Sequence, residues 1–322
     1  MAAECVIGVD LGGTKLLAGV LDGELRVHHR TRRLVHGLGQ RDLLDEIVAA
    51  VQDARSAAPA EVVGVGFGIP CLIDQRRGMA TMAVNLSLAD VPFRDVMAER
   101  LGLPVQVDND ANAAALAEHR AGAARGADHA IVLTIGTGIG GGLILGGELY
   151  RGAIGAGAEL GHMTLDLDGP PCQGNCPNRG CLETLASGTA LAREGRRIAQ
   201  GQPQSALAAA LEGGRELDGA LITELAHDGD AAAIEALALI GRNLGAGIAS
   251  LLNVFNPDVV VVGGGVLAAG ELLLAPARAE VAARALPTVR DHVQIVPAHF
   301  GSEAGMVGAA ALALDHARPG VL

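Results

Sequence analysis

Two hydrophobic periods alternate along the chain. Short apolar runs closed by Gly, Pro, Asn or Asp fall at 5–10, 16–20, 61–69, 105–107, 129–135, 143–145, 258–262 and 293–296, and each reads as a strand. Between them, apolar positions recur at helical spacing. Leu43, Leu44, Ile47, Val48 and Val51 predict an amphipathic helix over 41–57. Helices follow over 93–101, closed by Gly102 and Pro104, then over 111–121, 185–200 and 231–254, the last stopped at Asn256-Pro257. Residues 201–230 are weakly patterned and read as helix with surface loops. A final alanine-rich helix starts near Ala304 and is expected to pack back on the first domain. Strands interleaved with helices in this way predict the α/β class.

The order of elements repeats. Residues 7–20 and 131–145 both run strand, glycine-rich turn with a threonine, strand. An internal duplication follows as the expectation: two α/β domains whose glycine turns face each other across a cleft, with nucleotide phosphates held between them. Gly136, Gly138 and Gly141 match the G-x-G-x-x-G spacing of dinucleotide sites. That fingerprint must open a helix, whereas Leu143-Ile144-Leu145 and Gly146-Gly147 read as strand and turn, so a phosphate-facing hairpin is expected instead.

Composition narrows the function classes. A chain of 322 residues is long enough for two domains of ordinary size. It has no Trp, one Tyr and four Phe, too few aromatics to stack bases. A net charge of −12 argues against a phosphate-backbone surface, so no nucleic-acid partner is expected. Eighteen uninterrupted apolar residues occur nowhere, so no membrane span is expected. Met1-Ala2-Ala3-Glu4 lacks the basic region of a signal peptide. Together with cysteines spaced for a metal, that points to the reducing cytoplasm.

The candidate chemistry sits at the ends of strands and in one loop. Asp10 closes the first strand, placed to reach a metal ion, and Gly12, Gly13, Thr14 and Lys15 form the turn after it. Asp108-Asn109-Asp110 lies where a strand meets a helix. Capping accounts for one of the three polar residues, and an acid at a strand's C-terminal end lies where ligands bind in α/β sheets. Gly263-Gly264-Gly265 lets backbone approach a flat ligand. His162, Cys172, Cys176 and Cys181 offer four N/S ligands, which suits a tetrahedral zinc ion. With no open position, that zinc would be structural. Glu159 and Glu183 bracket this loop.

These motifs together resemble the ROK family of sugar kinases and sugar-responsive repressors. Asp10-Leu-Gly-Gly-Thr-Lys15 resembles its first phosphate motif and the 136–142 glycines its second. Glu159-Leu-Gly-His162 resembles its sugar signature, and Cys176 through Glu183 its zinc-loop signature. The glycines from Gly263 and the 301–308 segment resemble its adenosine-side segments. The resemblance implies two ribonuclease-H-like domains around a central cleft, as in actin-like sugar kinases. The smaller would comprise 1–111 with about 304–322, and the larger 112–303. It implies transfer of the γ-phosphoryl of ATP to the 6-hydroxyl of glucose, with Asp110 as base. Asp10 would hold Mg²⁺. Gly12, Gly13, Thr14, Lys15, Thr137, Gly138, Gly264 and Gly265 would hold the nucleotide. Gly68, Asn85, Asn109, Asp110, Glu159, His162 and Glu183 would hold the sugar, and these neutral and anionic acceptors suit a neutral polyol. Another hexose or N-acetylhexosamine, polyphosphate as donor, and a repressor-like sugar-binding protein are the alternatives. A homodimer or higher homo-oligomer is the family's usual state. Two departures stand out: Cys172-x3-Cys176 replaces the family's Cys-x-Cys, and Cys71 replaces a glycine after Pro70.

Overall fold

The structure is a computed structural model and describes residues 4–83 and 86–317. The chain opens with β1 (Glu4–Leu11), β2 (Lys15–Asp22), β3 (Val27–Leu34), α1 (Gln40–Ser56) and β4 (Glu61–Ile69). Next come β5 (Cys71–Asp74), β6 (Met79–Ala83), β7 (Ala89–Val91), α2 (Phe93–Leu101), β8 (Val105–Asn109) and α3 (Asp110–Ala121). The middle of the chain holds β9 (His129–Ile135), β10 (Ile139–Leu145), β11 (Glu148–Leu149), α4 (Leu182–Ala186), α5 (Gly188–Gly201), α6 (Ala206–Glu212) and α7 (Gly219–His227). Then follow α8 (Ala231–Phe255), β12 (Val259–Gly263), α9 (Glu271–Arg284), α10 (Pro287–Arg290), β13 (Gln294–Pro297) and α11 (Ala304–Ala317).

Two compact units form. One takes Met1–Ala127, Gly142–Ala158 and His299–Leu322, and the other Asp128–Gly141 and Glu159–Ala298. The boundary expected after residue 111 would cut α3 at its second residue. In the structure α3 packs along α11, and both lie in the first unit.

In the first unit β3-β2-β1-β4-β8 form one sheet. β1 pairs antiparallel with β2 and parallel with β4, and β4 pairs parallel with β8. Side chains alternate across the sheet, as the period of two requires. Cys5, Ile7, Val9 and Leu11 join Leu43, Ile47, Phe93 and Met97 in one core, where Phe67 and Phe93 meet edge to face at 5.1 Å. Val6 faces the other way, onto Met306, Val307 and Ala310 of α11. On that face the strands carry glycine. A Cβ at Gly8 would strike the Met306 carbonyl oxygen, and one at Gly66 the Ala309 carbonyl oxygen. The helix therefore lies directly on sheet backbone. The same row ends at Asp10, against the start of α11: a Cβ on Gly305 would sit 2.6 Å from its carboxylate.

The second five-stranded sheet runs β11-β10-β9-β12-β13, with β12 parallel to β9 and β13. Its order repeats that of the first sheet: edge strand, hairpin strand, leading strand, then two parallel strands. β12 is buried throughout, as its unbroken Val run demands. α8 is the one described helix long and apolar enough to cross a bilayer. More than half of its apolar window is buried in the second unit, where Gly241 and Gly245 let α9 approach.

Several elements differ from expectation. The helix expected over 185–200 is two helices, because Ser187 caps α5, its Oγ accepting from Ala190 N–H at 3.2 Å. β10 starts four residues before the expected strand. β3, the small β5-β6-β7 sheet, α9 and α10 were not expected.

Candidate active site

In the first unit the chemistry gathers at the corner between β8 and α3. Asn109 caps the helix, its Oδ1 accepting from the N–H groups of Ala111 at 2.9 Å and Asn112 at 3.2 Å. That leaves Asp110 as the first helical residue, half-buried, where the helix dipole favours an anion. Behind it Asp108 is 1 % exposed and accepts from Arg151 Nε at 2.6 Å. Gly68 pairs with Asp108 in the sheet, and a Cβ there would lie 3.5 Å from Asp110 Cα. Cys71 accepts a 3.5 Å bond from Asn109 Nδ2 on its carbonyl. Burial, and then the Asp110 charge, push its thiol up to about 12, so it stays protonated and is no nucleophile.

Asp10 completes this group. Burial first, and the charge of Asp110 second, raise its carboxyl to about 7. The turn after it closes on itself through Gly12 N–H to Lys15 O at 2.8 Å. Gly13 is half-buried, while Thr14 and Lys15 are exposed.

In the second unit the 136–140 turn is wrapped by later segments. Gly136 N–H donates to Gly138 O at 2.9 Å, and Gly136 O accepts from Gly188 N–H at 2.8 Å. Thr189 Oγ1 donates to Thr137 O at 2.7 Å. Glu183, in the first turn of α4, accepts from Ile139 N–H at 2.8 Å. A side chain at Gly138 would strike that carboxylate. Gly264 has φ +88°, and a Cβ there would collide with Ile135 backbone, so β9 and β12 end in close register. Gly265 beside it is open.

Next to this turn His162, Cys172, Cys176 and Cys181 bring their ligand atoms within 4.8 Å of one another. Cys172 Sγ lies 3.4 Å from His162 Nδ1, and Cys176 Sγ 4.0 Å from Cys181 Sγ. The wider Cys172–Cys176 spacing is absorbed by the loop. Bridges pair Thr164 with Cys181 and Pro171 with Arg179, and Cys172 N–H donates to Asn178 O at 2.9 Å. Burial, then the neighbouring thiols, raise Cys172 to about 12, and burial also raises Cys181. Crowded thiols that resist ionisation are what a thiophilic cation would stabilise as thiolates, and the donor set fits zinc.

The first unit thus brings together Asp10, Gly12, Gly13, Thr14, Lys15, Gly68, Asn109 and Asp110. The second holds Thr137, Gly138, Glu159, His162, Glu183, Gly264, Gly265 and the three cysteines. Glu159 is exposed and follows Ala158, whose φ of +65° marks a constrained entry to the sugar signature. Asn85 lies outside the described residues. Sequence reasoning missed Arg151 and Thr189, which act across 43 and 52 residues of chain, where no local spacing betrays them.

Comparison with known proteins gives the family. A glucokinase of Streptomyces coelicolor is 37 % identical over 313 residues, covering 96 % of this chain and 97 % of its own. The crystal structure of a ROK family glucokinase from Streptomyces griseus, in complex with glucose and AMPPNP, is 40 % identical. It superposes with a TM-score of 0.85 over 96 % of this chain and 99 % of its own. A xylose repressor of Bacillus subtilis is 31 % identical over 86 % of this chain, which spans 67 % of the repressor. The actin-like α/β fold of sugar kinases is shared with the glucokinase crystal structure. The ROK family signature matches residues 6–316, and the chain belongs to the ROK family.

Proposed function

We propose that this protein is an ATP-dependent glucokinase, which transfers the γ-phosphoryl of ATP to the 6-hydroxyl of glucose. One observation carries the reading. A half-buried carboxylate, Asp110, stands at a helix N-terminus beside a second acid, Asp10, in a chain similar along 96 % of its length to a glucokinase in complex with glucose and AMPPNP.

The chemistry follows from what phosphoryl transfer requires. Its loose transition state needs alignment and charge stabilisation more than covalent help. Asp110 accepts the proton of the attacking sugar hydroxyl. Asn109, locked as a cap, presents its amide to a neighbouring hydroxyl. Glu159 and Glu183 accept hydrogen bonds from the remaining hydroxyls, His162, whose Nδ1 faces the cysteines, donates its Nε2–H to one, and the backbone of Gly68 lines the sugar. The turns at 12–15 and 137–138 offer N–H groups to phosphates, and Gly264-Gly265 leaves room for a flat base. Asp10 would hold Mg²⁺, which when bound supplies positive charge to the phosphate oxygens. The fit is electrostatic: burial first, and the Asp110 charge second, disfavour the Asp10 anion, and a divalent cation would stabilise it. His162, Cys172, Cys176 and Cys181 would hold Zn²⁺, which when bound cross-links the loop. A reducing cytoplasm suits those unpaired thiols, and a homodimer suits the family.

The test is a substrate panel. Purified protein receives Mg²⁺-ATP or polyphosphate with glucose, mannose, fructose, N-acetylglucosamine and N-acetylmannosamine. Glucose with ATP is expected to give the highest kcat/KM. A different preferred sugar or donor would move the specificity. Tight glucose binding with no turnover would favour the sugar-sensing reading of the repressor relatives.

A further inference from the structure

Asp108 takes no part in the chemistry above, yet it lies at the centre of the β8–α3 corner. Its carboxylate is 1 % exposed and fully engaged. Oδ1 accepts from Asn109 N–H at 2.8 Å and from Asn112 Nδ2 at 2.9 Å. Oδ2 accepts from Arg151 Nε at 2.6 Å. Each donor governs a different part of the corner. The Asn109 N–H fixes the residue that caps α3 and immediately precedes Asp110. Asn112 fixes the first turn of the helix from inside. Arg151 supplies the positive charge, without which a buried carboxylate is very costly.

Arg151 arrives from outside the corner on a braced segment. It follows β11 and precedes Gly152, at φ +70°. Its carbonyl accepts from Gly157 N–H at 2.9 Å. Gly155, at φ +87°, lies so close to β5 that a Cβ would strike the Ile73 carbonyl oxygen. Gln75, just past β5, donates in turn to Val107 O in β8 at 3.2 Å. One arginine therefore connects a folded loop to the carboxylate that holds the cap of α3.

We infer that Arg151 is a positioning residue for phosphoryl transfer, acting through Asp108 to fix the aim of the Asp110 carboxylate. The inference rests on the glucokinase reading. A base held loosely at this corner still leaves the sugar its other partners, so the defect falls on turnover and not on binding. Displacement by as little as 1 Å costs about a hundredfold in rate when alignment is the main source of catalysis.

The experiment uses the full chain. Wild-type protein is first assayed for glucose phosphorylation, and failure there defeats the kinase reading before any variant is made. Arg151→Met is then expected to lower kcat by about thirtyfold or more, with the equilibrium Kd for glucose within about threefold of wild type. Arg151→Lys, which keeps the charge, recovers a substantial part of that kcat. Because the pair acts as a unit, Arg151→Met with Asp108→Asn is no more than about twofold worse than the worse single variant. Arg284→Met removes an exposed pair with Glu280 instead and leaves kcat unchanged. Arg151→Met with wild-type kcat would overturn the inference, as would loss of glucose binding in proportion to kcat. Should Arg151→Met not fold, Arg151→Lys and Asp108→Asn carry the test, and unchanged kcat in both overturns it.

Discussion

The two glycine turns share one sequence pattern and are held in opposite ways. The turn after β1 is held within its own meander, where Val35 N–H, just past β3, donates to Thr14 O at 3.0 Å. Gly12 closes it on Lys15, and its acid, Asp10, comes from its own strand. The turn after β9 has no acid of its own. It borrows Glu183 from α4 and is tied further by Gly188 and Thr189 of α5. Cys181, a member of the Cys/His group, immediately precedes α4. Two hairpins of the same strand order thus divide their duties. One copy leaves a carboxylate facing Asp110. The other has one of its N–H groups already occupied by a carboxylate that the proposed function also gives to the sugar. Stiffness in the first turn comes from the turn and α11. In the second it comes from α4, α5 and the loop that carries the Cys/His group.

The largest effect expected from this difference is on metal removal. Chelation, or Cys176→Ser, should lower kcat/KM by about a hundredfold, since a structural zinc site contributes directly to local folding. Amide exchange should quicken at residues 136–140 and stay slow in β1 and β2. Equal loss of protection at both turns would break the comparison. Next comes Glu183→Ala, which leaves Ile139 N–H without its acceptor. A fall in kcat/KM of about thirtyfold is expected, with KM rising for both glucose and ATP, because a bond to a charged group and a substrate contact are lost together. A rise for glucose alone would separate the sugar from the turn.

Thr189→Val removes one hydroxyl bond to Thr137 O and should raise the KM for ATP by about threefold, near the worth of one neutral hydrogen bond. The first turn yields a pH effect instead. Without Mg²⁺ the folded state holds its proton on Asp10 up to about pH 7, against 3.8 for the free side chain. Stability from this group is therefore full below pH 3.8 and is lost as pH rises through about 7. Asp10→Asn should raise the Tm of metal-free protein by roughly 2–4 °C at pH 8 and hardly change it at pH 4. A shift at pH 4 as large as that at pH 8 would contradict the origin assigned to it.

Much of this was legible along the chain, for reasons that are local. β12 announces itself by four consecutive valines, and both hairpins by glycines set between apolar runs. Asp110, Glu183 and the cysteines were marked by motif. What escaped notice depends on distant partners. β3 carries Arg30, Arg32 and Arg33 in place of an apolar run, and it is held by pairs from Arg30 to Glu303 and from Arg33 to Glu46 and Asp53. α9 contains Pro276, which breaks the helical pattern without ending the helix. Cys172 looked displaced because spacing counts residues, whereas the loop bends to bring its sulfur beside His162. The glycines of β4 were legible only as part of a strand, and Gly66 is part of the floor on which α11 lies.

The most direct test of the account is to follow the phosphoryl group itself. Phosphorus NMR of wild-type protein with Mg²⁺-ATP and glucose should show glucose 6-phosphate and ADP appearing in equal amounts. Asp110→Asn should bind glucose almost as well and form product about a thousandfold more slowly, because acceptor and charge are both lost. Release of free phosphate without glucose 6-phosphate, or near-normal turnover by Asp110→Asn, would contradict it.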